Sequence, residues 1–179
     1  MTRICFEVSP RSRRSVIELA AVLRQSSGRT TSPWFDVQRF AELDLPNVWP
    51  EFNLTIGDVH EMGHDHGLTF PDQHEVRLRA DVYEGLCQGR GRDRFTLAHE
   101  IGHYVMHSTP GMARTLRERT KIPAYRDSEW QANTFAGSLL VALDVARQHP
   151  RPEELALVCG VTVEAAKAQL GNYRIERML

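Results

Sequence analysis

The chain has 179 residues and a formal net charge of −1, so no global basic field marks it as a nucleic-acid binder. Its 41% hydrophobic content over this length is enough to bury a real core, in one domain or one domain with a small appendage. Cys5, Cys87 and Cys159 are far apart and form no CxxC, which argues against a disulfide scaffold and a thiolate zinc site. The first residues, MTRICFEVSPRSRRS, carry no apolar signal-peptide core, and no apolar run approaches the roughly 20 residues that span a bilayer. A cytoplasmic protein without membrane contact is expected.

Ser9-Pro10 reads as a helix start, with an apolar stripe of Val16, Leu19, Ala20 and Leu23 and a stop at Gly28. Ser32-Pro33 repeats the signal for a second helix, with Trp34, Val37, Phe40 and Ala41 on one face and an end before Pro46. The period then changes. Phe52–Ile56 alternates as a strand, a Gly/Asp/His-rich loop runs through Gly67, and Leu68–Phe70 is a short apolar segment before the turn signal Pro71-Asp72. Val76, Leu78 and Ala80 alternate with charged residues, predicting a half-buried strand over Val76–Val82 that is a candidate for pairing with an extended substrate. These strands form a small antiparallel or mixed sheet ahead of a helix from about Asp93 to His107, stopped by Thr109-Pro110-Gly111. Residues 112–126 read as a surface loop or short helix. Asp127 or Ser128 caps an apolar helix that begins with Glu129, and two short helices, about 153–159 and 162–173, close the chain.

The chemistry lies in the 93–107 helix, which contains His99-Glu100-Ile101-Gly102-His103, an HExxH motif. Two histidines four apart lie on one helix face, so both imidazoles can reach one ion at roughly 2.0–2.1 Å. Glu100 is then placed to take a proton from water activated by that ion. A catalytic zinc takes three protein ligands. His107 continues the series, but it lies about 12 Å along the axis from His99 at 1.5 Å per residue, too far for one ion to serve all three rings. The HExxHxxGxxH pattern is excluded by Met106 and Thr109. Glu129 is the better third ligand: it follows His103 by 26 residues and opens an otherwise apolar helix, where a carboxylate needs a partner. Asn133, one turn on, could support a ligand from behind. A second HExxH, His60-Glu61-Met62-Gly63-His64, has no apolar helical stripe around it and reads as loop histidines, with an adventitious metal site from His60, His64, Asp65 and His66 as the alternative.

RFTLAHEIGHYVMH followed by SEWQANTFAGSLLV resembles the ImmA/IrrE metallopeptidases, in which an AHExxHxxxH-like helix precedes one opening with E-x-x-A-N-x-F-A. Ala98–His107, Glu129, Ala132, Asn133, Phe135, Ala136, Leu139 and Leu140 carry the match, and Val76–Cys87 looks like the strand before the active helix. The resemblance implies an α+β, zincin-like fold: a small sheet packed against the HExxH helix and a ligand-bearing helix, with further helices at both ends. It implies His99, His103 and Glu129 as ligands of Zn2+ (or another divalent metal such as Mn2+) and Glu100 as base. It also implies a protein substrate, a helix-turn-helix repressor or antitoxin encoded by a neighbouring gene, whose cleavage relieves transcriptional repression. Leu140-Val141-Ala142-Leu143 departs from the leucine-methionine-proline-like tail of that family and leaves the pocket floor open.

Residues 1–145 are expected to form the metallopeptidase domain and 146–179 a helical appendage packed on it. Leu155-Ala156, Gly160, Val161 and Ala165-Ala166 loosely follow helix-turn-helix spacing, so a metal-containing DNA- or protein-binding regulator without peptidase activity is the alternative. The would-be recognition helix offers only Lys167 before Arg174, a poor match to a phosphate backbone.

Overall fold

A computed structural model describes residues 4–28, 32–108 and 115–179. The expected stop at Thr109-Pro110-Gly111 lies outside these residues. The fold is mixed α+β. Strand β1 (Ile4–Glu7) pairs antiparallel with β5 (Thr115–Glu118) as a two-stranded ribbon, with Phe6 opposite Leu116. Neither strand is legible locally, because each is four residues long and finds its partner more than a hundred positions away.

The helix expected from Ser9-Pro10 begins later. α1 spans Arg13–Ser26, capped by Ser12, whose hydroxyl accepts from Ser15 N–H at 3.1 Å. Residues ahead of it run along the 125–126 segment instead, with Val8 N–H donating to the Arg126 carbonyl and Arg11 N–H to the Tyr125 carbonyl. The second helix also starts late and continues past its expected end. α2 (Val37–Arg39) is capped by Asp36, widens into a π-helical turn over Phe40–Asp44, and resumes as α3 (Leu45–Val48). The wide turn lets Pro46 sit in the first turn of α3, where its missing N–H breaks no bond.

Strand β2 (Asn53–Gly57) is followed by the one-turn helix α4 (Val59–Met62), then β3 (Gly67–Phe70) and β4 (Glu75–Arg79). The sheet order is β2-β4-β3, with β2 parallel and β3 antiparallel to β4. Two expectations fail here. The strand predicted over Val76–Val82 ends at Arg79, where α5 (Ala80–Cys87) begins. Val82 fits a period of two from Val76, yet it is buried with Leu86 on one helical face. Because β4 is bonded by β2 on one side and β3 on the other, it has no free edge to accept a substrate strand. Among the described residues β2 and β3 are the edges of this sheet, and β3 lies against α6 (Gly91–His107).

α6 packs against α7 (Ser128–Leu140), the central helix pair of the molecule. Leu97, Ala98, Ile101, Phe135, Ala136 and Leu139 are fully buried between the layers. The expected stripe is partly right: Ala98 and Gly102 are buried, whereas Phe95 and Val105 are only half-buried. α1 lies on the other side of α7. Beyond it come α8 (Leu143–Gln148), α9 (Pro152–Cys159) and α10 (Val163–Ile175), whose Leu155, Cys159, Leu170 and Tyr173 join the same apolar core. Arg94 ties this end down: it stacks at 3.7 Å on Trp34 and donates to the carbonyls of Gly160, Phe35 and Cys159. Among the described residues no helix is long and apolar enough to cross a membrane.

Candidate metal centre

Close approach of α6 and α7 creates the centre. A Cβ at Gly102 would stand 3.0 Å from the Phe135 ring and 3.3 Å from the Ala132 Cα, so only glycine lets the helices come this near. His99 lies one turn before Gly102, and Glu129 one turn before Ala132, so the same contact brings both onto facing surfaces. Asp127 fixes the start of α7 by accepting from the Glu129 and Trp130 amides at 2.9 and 3.4 Å.

His99 Nε2 and His103 Nε2 are 3.0 Å apart. Glu129 Oε1 is 3.1 Å from His103 Nε2, and Glu129 Oε2 is 3.5 Å from His99 Nε2. Donors on a tetrahedral zinc at 2.0–2.1 Å stand about 3.3 Å from one another. The triangle therefore has the size and the imidazole–imidazole–carboxylate chemistry of a catalytic metal site. Among the described residues it is the one group of three such side chains that could hold an ion. The rivals are not brought together. His60 and Glu61 sit on α4, capped by Asp58, but Gly63 ends that helix at φ +56° and places His64 outside it. The His66 ring lies between Arg79 and Arg92, at 2.9 and 3.0 Å.

Electrostatics without a metal already tie the three together. The His103 and His99 rings hold the Glu129 carboxyl far below the usual carboxylate range, against a smaller opposing effect of burial. Burial pushes the His99 imidazole down, but its bond to Glu129, the charges of Glu100 and Glu129, and Asn133 outweigh it and raise the ring's pKa. The expected support by Asn133 takes the form of a 3.2 Å contact between its Oδ1 and His99 Nδ1, which leaves His99 Nε2 to face the site.

Glu100 is buried beside the triangle, on the wall of a cavity of about 350 Å³ that also includes His99, His103, Glu129, Leu68 and Phe6. Thr69 on β3 donates to Glu100 Oε2 at 2.7 Å. Gly67 presses from the same strand: a Cβ there would lie 2.7 Å from Glu100 Cγ. Neither residue was signalled by the sequence, since nothing local predicts which strand faces a helix. Tyr104 is packed against Phe52 with its hydroxyl 3.1 Å from His74 Nδ1. Among the described residues the cavity is lined by no tyrosine or arginine.

No curated protein matches the chain. The family model of the IrrE N-terminal-like domain, Peptidase_M78, matches residues 60–170, more than half of the sequence and all of the centre just described. On that match, the chain belongs to the Peptidase_M78 family of metallopeptidases.

Proposed function

We propose that the chain is a zinc-dependent endopeptidase of zincin-like architecture, with His99, His103 and Glu129 as metal ligands and Glu100 as the proton carrier. The observation that carries this reading is the donor triangle, with sides of 3.0, 3.1 and 3.5 Å, beside a buried carboxylate in an open cavity. When bound, a zinc ion supplies Lewis acidity to the scissile carbonyl and lowers the pKa of the attacking water.

The chain's own groups do the rest. Glu100, aimed by the Thr69 hydroxyl, accepts a proton from the attacking water and returns it to the leaving amine nitrogen. Asn133 keeps the His99 ring oriented throughout. The edge strand β3 runs along the cavity through Gly67, Leu68 and Thr69, so an extended substrate adds to it by main-chain hydrogen bonds. This replaces the role expected of the 76–82 segment. Residues 1–145 form the catalytic unit and 146–179 a helical appendage.

The substrate we infer, from resemblance of the two helix motifs to the ImmA/IrrE metallopeptidases, is a helix-turn-helix repressor or antitoxin from a neighbouring gene. The test is metal analysis of wild type and His99→Ala, with cleavage of the neighbouring-gene product by wild type and Glu100→Gln. Stoichiometric zinc lost in His99→Ala and cleavage lost in Glu100→Gln are expected. Metal held without any cleavage, the same in wild type and Glu100→Gln, would instead identify a binding module, and retention on DNA at moderate salt a regulator.

A further inference from the structure

His103 has a second partner besides the donor triangle, and it leads into a chain of buried polar groups. His103 Nδ1 lies 3.3 Å from His107 Nδ1, and His107 Nε2 lies 3.0 Å from Gln131 Oε1. Gln131 is fully buried, and its Nε2 donates to the carbonyls of Ser9 and Tyr125 at 3.0 and 2.9 Å. Those two carbonyls decide the direction of the whole chain. Carbonyl oxygens only accept, so the end of the Gln131 amide that faces them is its NH2 group, and the other end is an acceptor. His107 Nε2 therefore carries a hydrogen. In its neutral form the ring carries only that one, and His107 Nδ1 then presents a lone pair. The hydrogen in the contact between the two Nδ1 atoms then belongs to His103. That leaves Nε2, at the corner of the triangle 3.1 Å from Glu129 and 3.0 Å from His99, as the nitrogen whose lone pair a bound ion would take.

We propose that His107 and Gln131 are positioning residues that hold His103 as its Nδ1–H tautomer and so aim the Nε2 lone pair at the metal. The inference rests on the metallopeptidase reading for its purpose, though not for its geometry. It gives His107, too far along the helix to be a third ligand with His99, a use at the next turn behind His103. It also ties the site to the backbone ahead of α1 and ahead of α7, because the last acceptors in the chain are Ser9 and Tyr125. The carboxamide of Gln131 cannot turn without setting its oxygen against two carbonyls. The tautomer is thereby fixed by main chain rather than by solvent.

The decisive measurement needs no metal and no activity. In the metal-free wild type, two-bond 1H–15N correlation spectra report which ring nitrogens of each histidine carry hydrogen, and His103 is expected to carry one at Nδ1, whether or not Nε2 also holds one against the Glu129 carboxylate. In His107→Leu the Nδ1–H has lost its acceptor, so the Nε2–H tautomer gains population. The zinc dissociation constant, measured by competition with a chelator, rises about 10- to 100-fold. His107→Gln supplies an oxygen for His103 and an NH2 group for Gln131, and it returns zinc affinity toward wild type. Gln131→Met weakens zinc in the same direction as His107→Leu. Thermal melts of the metal-free variants separate these effects from loss of fold. A wild-type His103 with no hydrogen at Nδ1 would overturn the proposal. So would a folded His107→Leu that holds zinc as tightly as wild type, or a His107→Gln no better than His107→Leu. A wild type with the Nδ1–H tautomer that takes up no zinc supports the relay and removes the metallopeptidase reading instead.

Discussion

Gly67→Ala tests whether Glu100 is the proton carrier and whether β3 positions it. The added Cβ would lie 2.7 Å from Glu100 Cγ, against the 3.4 Å where ordinary contact begins, so one of the two must move by about 0.7 Å. The strand is held by antiparallel pairing with β4, from Gly67 opposite Leu78 to Phe70 opposite Glu75. The Glu100 side chain is the softer partner, and its displacement strains the 2.7 Å bond from Thr69. A misplacement of about 1 Å at a reacting group can cost about 100-fold in rate. A fall in kcat of roughly 10- to 100-fold is therefore expected, about 1.4–2.7 kcal/mol at 1.36 kcal/mol per tenfold. Zinc content should stay at the wild-type level, because the three atoms nearest the added Cβ all belong to Glu100 and none to a ligand. Gly171→Ala is the control, since a Cβ at that helical site meets nothing within 4 Å. It should leave kcat unchanged and stabilise by roughly 0.5–1 kcal/mol. Steady-state kinetics on one peptide, with metal analysis of the same preparations, reads out both. Wild-type kcat in a folded, zinc-loaded Gly67→Ala protein would refute the placement of Glu100, and loss of zinc alongside activity would refute the division of labour between strand and helices.

Glu100→Gln should lower kcat by roughly 100-fold or more while zinc stoichiometry is retained, since the change removes proton transfer and no ligand. Gly102→Ala places a Cβ 3.0 Å from the Phe135 ring between α6 and α7. Thermal unfolding should register a loss of about 1–3 kcal/mol, and chelator competition a weaker zinc site. Arg94→Leu leaves the carbonyls of Gly160, Phe35 and Cys159 without their donor. Burial lowers this guanidinium to about 10, still charged at neutral pH, so urea unfolding should show a loss of roughly 3 kcal/mol or more. Glu129 titrates well below its ordinary 4.5 in the folded metal-free protein. Its contribution is present above the unfolded pKa and lost as pH falls toward the folded one. The metal-free melting temperature should therefore drop between about pH 5 and pH 3, and drop less in Glu129→Gln. His99, with its pKa raised, contributes in the opposite sense: its share is complete below 6.5 and lost as pH rises through the folded value.

Local rules carried the helices that make the site. Four-residue spacing put His99 and His103 on one face, the apolar setting of Glu129 marked it as a carboxylate in need of a partner, and the cap was narrowed to Asp127 or Ser128, of which the structure uses Asp127. These features depend on neighbours a turn away, which is the range over which sequence fixes geometry. The same rules misplaced the start of α1, because the backbone amides of Val8 and Arg11 find partners at 126 and 125 rather than within a helix. They also carried a strand through Val82, a residue that fits both periods.

Only the tertiary structure decided which strand borders the site and what stands behind the ligands. Thr69 reaches Glu100 from 31 residues away, and Gln131 reaches His107 from 24. Hydrophobic pattern says that β3 and α6 each bury a face, but not that they bury it against each other. The sequence by itself held the donors and their chemistry. The directions of those donors depend on hydrogen bonds between segments distant in the chain, and such bonds exist only once Gly102 has let α6 and α7 close together.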